Sequence, residues 1–596
     1  MDLYYKQSMS KGQLSVDFLR DYMRSSRVEW LVANGRGAYA MSTAAGANTR
    51  RYHGLLVAPW GAGGERHVLL PRVEEEICVG GRWVELGAGQ YPGTIAPRGF
   101  TMLTAFSAAP EPLWTWMVDG VTVTRRLELL EGPDGVRLTY EASEACPLRV
   151  RVFTATRGYH ALGTGSATPL QFAMTGADWE PVGGWYRDVE YLEELDRGFP
   201  FREDLWCAGV FHGATGSSFT ASLGAEGTTK TLTGAAVFLS RMNGRLTLMA
   251  GYPWFTDWGR DTFIAMPGLL IEAGLLAEAK EIFTGFLEHR REGLLPNRFS
   301  DAGQEPEYNT ADATLWAFEA AQQLWAAGET EWVETVFYPI GREIIEWHER
   351  GTMYEIGMDP ADGLLQCGNE ETQLTWMDAR SDGRPVTPRD GKPVEINALW
   401  YNALRLMAGW AERVGDDGRR MKYAGLADWV GRSFVSTYWS DGGMCLLDRP
   451  GSSEIRPNQI LAVALTHPLL DPARRRELLL TVRLHLVTPY GLRTLSPEDP
   501  AYRGRYRGGP AERDAAYHQG TVWPWLAAPF ALAWEREFWE PFPFPELENE
   551  LERGCLDQIA EIYDGDPPHN RCGAPAQAWS LAALLMLRAY RHPRPS

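Results

Sequence analysis

Two periods of apolar residues divide the chain. From about Val28 to Leu223 the apolar positions recur at every second residue. Val121-Thr-Val-Thr-Arg-Arg-Leu-Glu-Leu129 alternates in this way, as do Val136-Arg-Leu-Thr-Tyr-Glu141 and Leu148-Arg-Val-Arg-Val-Phe153. Turn-forming clusters such as Glu131-Gly-Pro-Asp-Gly135 separate the runs at short intervals. Alternation with frequent turns predicts an antiparallel β-sandwich. Residues 213–235, rich in Gly, Ser, Thr and Ala and poor in charge, read as a final strand or linker.

After about Met249 the period lengthens to that of a helix. Leu275, Ala279, Ile282, Phe283 and Phe286 fall on one face, and Leu399, Ala403, Leu404 and Met407 repeat the pattern. About eleven helices are predicted, near 261–273, 275–291, 310–327, 330–350, 395–413, 416–437, 456–466, 470–487, 516–535, 545–562 and 574–591. Twelve would close an (α/α)6 toroid. The expected organisation is a β-sandwich domain over 1–235, a linker over 236–250 and an (α/α)6 domain over 251–596. Roughly forty residues of weak periodicity lie between Gly351 and Glu395, and a second irregular stretch spans Thr488 to Arg513. Long loops in a compact domain are usually functional.

Composition narrows the classes. The chain has 596 residues and a formal charge of −19, which disfavours nucleic acid and anionic membrane as partners. Six lysines stand against 52 arginines, a skew read as coding bias. The 24 Trp, 23 Tyr and 22 Phe suit either a large core or a sugar-stacking site. Met1–Leu14 contains no apolar core of a secretory leader, and no run of apolar residues is long enough to cross a membrane. Seven scattered cysteines without C-x-x-C spacing predict neither a zinc site nor a disulfide framework. A cytoplasmic protein without metal or cofactor is expected.

Five stretches carry candidate chemistry. Gly251-Tyr-Pro-Trp-Phe-Thr-Asp-Trp-Gly-Arg-Asp261 sets aromatics, an arginine and carboxylates at a helix start. A sugar needs that mixture, because its C–H face lies on a ring while charged groups bridge its vicinal hydroxyls. Asp378 follows Trp376 and Met377, an apolar setting that raises a carboxyl pKa and suits a proton donor. Glu395 and Asn397 open a helix. Tyr517-His-Gln-Gly-Thr-Val-Trp-Pro-Trp525 groups hydroxyl, imidazole, amide and indole. Glu561 is expected to end a helix, where the macrodipole disfavours a carboxylate, and Pro575 to open the next. Carboxylates interleaved with tryptophans on the loops of a helical toroid are the inventory of a glycosidase.

Taken together, these motifs resemble those of the bacterial and archaeal glycogen-debranching enzymes of amylo-α-1,6-glucosidase type. The resemblance extends over nearly the whole chain. It is carried by Asn34-Gly-Arg-Gly-Ala-Tyr-Ala40, Asn48-Thr-Arg-Arg-Tyr-His-Gly-Leu-Leu-Val57, Phe201-Arg-Glu-Asp-Leu-Trp206, Ala250 to Asp261, Tyr308 to Trp316, Thr375-Trp-Met-Asp378, Val386 to Trp400, Thr488 to Thr494, Tyr517 to Trp525 and Gln577-Ala-Trp-Ser580. The family is similar to the C-terminal part of the eukaryotic debranching enzymes. Their glucanotransferase barrel has no counterpart in the pattern here.

The resemblance implies inverting hydrolysis of α-1,6 glucose stubs on glycogen, limit dextrin or another branched α-glucan. It assigns Asp378 as general acid and Glu561 as general base. Arg260 and Asp261 would hold the non-reducing glucose, with Trp258, Asp312, Trp376, Glu395, Tyr517, His518, Gln519 and Trp523 as further substrate contacts. A broader exo-acting α-glucosidase of glucoamylase or isomaltose type is the close rival, and a non-catalytic glycogen-binding protein is the rival from another class.

Overall fold

In the computed structural model, the described residues are 14–591 except 62, 164, 226 and 300–304. Most of the segment on which the absence of a leader was read therefore lies outside them. The chain is a mixed α and β protein of two compact units. One runs to Gly244 and takes in Asn549–Gln558; the other begins at Arg245 and comprises the rest of the helices.

The first unit is antiparallel β. One sheet orders Glu29–Ala33, Tyr39–Thr43, Gly54–Pro59, Arg66–Leu70 and Arg157–Gly158. A second contains Gln171–Met174, Ser218–Ser222, Gly135–Ala142, Val121–Glu131, Leu113–Val118 and Leu103–Ser107, with Thr228–Thr229 added beside Val121–Glu131. A third orders Asp178–Glu190, Arg202–Ala214, Pro147–Thr154, Arg72–Val79 and Arg82–Glu85. The period-two reading holds in detail: along Val121–Glu131, Val123, Leu127 and Leu129 point into one core with Val136, Leu138 and Trp114. The Glu131–Gly135 turn closes that hairpin, pairing Leu130 with Gly135. Asn34 makes the turn after the first strand by accepting from the Arg36 N–H at 2.9 Å. Arg50 and His53, from the Asn48–Val57 motif, both bond the buried Glu29, at 2.6 and 2.8 Å.

In the second unit six helices pack in cyclic order. Gly259–Met266 contacts Asp312–Ala326, which contacts Val394–Arg413, then Leu461–Ala464, Ala527–Phe538 and Ala578–Arg591, and the last returns to the first. Gly251–Tyr252 pairs with Ala576–Gln577 at the same junction. Outside this cycle lie Leu276–Glu288, Tyr338–Arg350, Asp417–Tyr438 and Pro472–His485. Buried apolar faces explain the pairing: Phe318, Phe337 and Trp410, from three segments, meet with ring centroids 5.2–6.5 Å apart.

Two helix predictions fail at functional stretches. The helix expected over 516–535 is Pro510–Ala516, then a turn, the strand Val522–Trp523, and only then Ala527–Phe538. The helix expected over 545–562 stops at Glu550. Glu561 instead leads into the strand Ile562–Tyr563 of a small five-stranded sheet, next to Val522–Trp523. The macrodipole argument for Glu561 therefore falls. The long loop before Glu395 is tied down by short hairpins and by mutual backbone hydrogen bonds between Cys367 and Gly391.

Candidate active site

The first turn of Gly259–Met266 forms one wall. Its approach is fixed because Asp257 accepts from Thr247 at 2.9 Å and pairs with Arg245. Gly259 is required there, since a Cβ would lie 2.2 Å from the Pro296 carbonyl oxygen. Arg260 is buried and donates from Nε to Asp312 at 2.7 Å, while its Nη1 reaches Asp378 at 3.5 Å. Thr310 holds the other oxygen of Asp312 at 2.8 Å. Asp261 is buried and accepts from Gln577 at 3.3 Å. Burial pushes its carboxyl up to about 7; Arg260 opposes this, and the charges of Glu561 and Asp378 add to it.

Asp378 is crowded by protein on most sides, yet its side chain is 36% exposed. The carboxyl is therefore open to solvent on one side. Desolvation raises its pKa above the ordinary carboxylate value; Arg260 opposes this and Asp312 reinforces it. Among the described side-chain hydrogen bonds, only the 3.5 Å contact to Arg260 orients the carboxylate.

Glu561 is nearly enclosed and held at both oxygens. Tyr517 donates to Oε1, and the Ala574 N–H donates to Oε2 at 2.8 Å. Its backbone is bonded to Ala574 as well. Gly573, at φ +68°, leaves room for the carboxylate, because a Cβ there would stand 2.3 Å from Oε2. Asp261 and Tyr517 each feel the charges of both Asp378 and Glu561, so the two carboxylates lie in one electrostatic neighbourhood.

Aromatic rings back this region. Trp376 meets His518, Trp523 and Trp525 at centroid distances of 5.5, 5.1 and 5.3 Å. Trp525 stacks on Trp579 and touches Trp316. Tyr517 packs on Trp523 at 5.0 Å and remains half-buried. Trp258 is half-buried, with Arg298 over its ring at 5.3 Å.

Other expected contacts face inward. Glu395 is fully buried against Arg389, which also binds Asp448. Burial raises Glu395 to about 7; Arg389 opposes this and Asp448 reinforces it. His518 is fully buried and stacked on Trp523. Burial, together with the charges of Arg456, Arg260 and Arg389, keeps it neutral. Gln519 bonds Arg456 at 2.8 Å and the Val386 carbonyl at 3.1 Å. These three residues shape the interior rather than a solvent-facing surface.

Sequence reasoning missed Asp448, Arg456 and Asn458. Asp448 takes Asn458 at 2.8 Å, Arg389 and, at 3.7 Å, Arg456. Arg456 also caps the carbonyls of Thr494 and His518 at 3.1 and 2.9 Å. A lone Asp in Leu446-Leu-Asp-Arg-Pro-Gly451 reads as a turn, and nothing local reveals its partners. Among the described residues, no group of His, Cys, Asp and Glu is arranged to hold a metal, and no helix is long and apolar enough to cross a membrane.

Residues 233–586 match the family model described as amylo-alpha-1,6-glucosidase, and residues 28–219 match that for the glycogen debranching enzyme N terminal. The glycogen debranching enzyme of Saccharomyces cerevisiae is 25% identical over 459 residues. That match covers 57% of this chain and only 30% of the yeast protein. The crystal structure of a bacterial glucoamylase complexed with acarbose is similar in fold, with a TM-score of 0.53 and 10% identity, over 98% of this chain and 94% of that one.

Proposed function

This chain belongs to the amylo-α-1,6-glucosidase family, and from that premise we propose that it releases single α-1,6-linked glucose residues from a branched α-glucan such as glycogen or limit dextrin. The observation that carries the reading is the contrast between two carboxyl groups whose charges both act on Asp261. Asp378 is partly exposed, loosely held and raised in pKa, as a proton donor requires. Glu561 is fixed by two donors, as suits a carboxylate that aligns water.

In the proposed reaction Asp378 protonates the glycosidic O6 as the C1–O6 bond breaks. Glu561 takes a proton from water while the water oxygen bonds C1 from the opposite face. Glucose leaves with inverted configuration, and the shortened glucan carries the new hydroxyl. Arg260, fixed in its fork by Asp312, and Asp261 hold hydroxyls of the terminal glucose. Tyr517, Trp258 and the aromatic wall behind Trp376 bound the sugar.

The cyclic packing of six helices and the fold likeness to a glucoamylase support an (α/α)6 toroid as the catalytic domain, over 251–596. The antiparallel sheets over 1–235 support a preceding β-sandwich domain. A cytoplasmic location accords with a stored-glucan substrate.

The test is incubation of the full chain with phosphorylase limit dextrin, isomaltose and maltotriose, with the first-formed anomer read by NMR. β-Glucose from limit dextrin alone is expected. Comparable release from all three marks a broad α-glucosidase, and none from any marks a binding protein.

A further inference from the structure

Asp378 must present its proton along the line to the glycosidic oxygen, yet among the described residues its carboxylate has one side-chain hydrogen bond, a long one of 3.5 Å, besides its own backbone N–H. Its direction is therefore set by the backbone that carries it. The two residues before it are buried and share one partner. Asn458 accepts from the Trp376 indole at 2.8 Å, and its amide nitrogen lies 3.5 Å from the Met377 sulfur. The same nitrogen donates to Asp448 at 2.8 Å. Asp448 in turn is clamped by Arg389, whose other arm grips Glu395 at the start of Val394–Arg413. Asn458 itself lies in the one-turn helix Pro457–Ile460. The loop carrying the acid is thus pinned to a rigid helix through an uninterrupted buried chain.

We propose that Asn458 is a positioning residue for the acid: by fixing Trp376 and Met377 it aims Asp378 at the leaving oxygen. This rests on the reading of Asp378 as general acid. Asn458 touches no substrate; it acts two residues upstream of the reacting group. Small displacements of a catalytic group are costly, about 10²-fold for 1 Å.

The test compares two substrates. An alkoxide leaving group needs the proton from Asp378. Fluoride departs from α-glucosyl fluoride with little help from an acid, yet water activation by Glu561 is required for both. Asn458→Leu, assayed in the full chain, is expected to lower kcat on limit dextrin ~10-fold or more while leaving fluoride release within ~3-fold. Asp378→Asn supplies the reference pattern. Asn458→Ala removes the same amide with less bulk and serves if Asn458→Leu does not fold.

Equal losses on both substrates, or unchanged turnover of limit dextrin, overturn the proposal. Failures of the underlying reading appear with Asn458 intact. A wild-type chain inactive on both substrates refutes the glucosidase. An Asp378→Asn chain with normal limit-dextrin turnover refutes the acid.

Discussion

The phenolic hydroxyl of Tyr517 is donated to Oε1 of Glu561, the oxygen not taken by the Ala574 N–H. Both oxygens of the glutamate are thereby fixed in direction. Tyr517 is itself packed on Trp523 and Tyr506, so it cannot follow a moving carboxylate. Tyr517→Phe keeps the packing and removes the donor. Turnover should fall about 10-fold with little change in KM, since the loss is in aligning water rather than in binding. A KM effect without a kcat effect would instead make the Tyr517 hydroxyl a donor to the substrate.

The carboxylates themselves give the largest effects. Asp378→Asn and Glu561→Gln should each reduce glucose release by at least ~10²-fold. Circular dichroism and thermal melting should show the fold retained. Near-normal release by either purified variant removes it from its assigned role.

In the proposed reaction Asp312, paired with Arg260, tunes Asp378. Its negative charge helps hold Asp378 above the ordinary carboxylate value, and Arg260 works in the opposite direction. Asp312→Asn deletes the first influence and leaves Arg260 free to act on Asp378. The pKa of Asp378 then drops, the acid loses its proton at lower pH, and the alkaline limb of kcat/KM moves down. A limb that stays or rises contradicts the pairing.

Gly573 offers a steric test of Glu561. At φ +68° a side chain is strained by about 1–2 kcal/mol, and a Cβ would collide with Oε2. Gly573→Ala should displace the carboxylate and lower kcat ~10-fold or more, with KM less affected. Wild-type turnover in a folded variant would show that Glu561 is not held as described.

Asp261 predicts a pH-dependent stability. Its carboxyl is raised from 3.8 to about 7 in the folded chain, so the native state binds the proton more tightly than the unfolded state. The stabilisation is complete below about 4 and disappears as pH rises through about 7, at up to ~1.4 kcal/mol per pH unit. Melting temperatures of the wild type and Asp261→Asn should therefore diverge between about pH 4 and 7, with the variant gaining relative to the wild type as pH rises. Parallel melting curves would place an ordinary carboxylate there.

Much of this architecture is legible in the sequence because burial is periodic. Val123, Leu127 and Leu129 alternate into a core, and Ile282, Phe283 and Phe286 line a helix face. The site is legible where one short motif holds several functional groups, as in Trp258-Gly-Arg-Asp261. It is hidden where two-residue strands replace helices. Ile559, Ala560, Ile562 and Tyr563 surround Glu561 with buried apolar residues that fit either period, so the strand at Ile562–Tyr563 leaves no signature. It is hidden again where buried charges pair across the chain. Glu395 looks like a helix-opening carboxylate free to meet a sugar until Arg389 is seen to take both its oxygens.

The contact between Gln577 and Asp261 joins positions 316 residues apart. Gly251–Tyr252 pairs with Ala576–Gln577 across the same gap. On a chain made from its N-terminus, the wall bearing Arg260 and Asp261 exists long before the residues that close against it. Its ion pairs with Asp312 can form early; Gln577, Ala574 and Trp579 arrive last. Closing so long a loop is slow. A nascent chain therefore completes this wall only when Ala578–Arg591 docks, 316 residues of synthesis separating Asp261 from its partner Gln577.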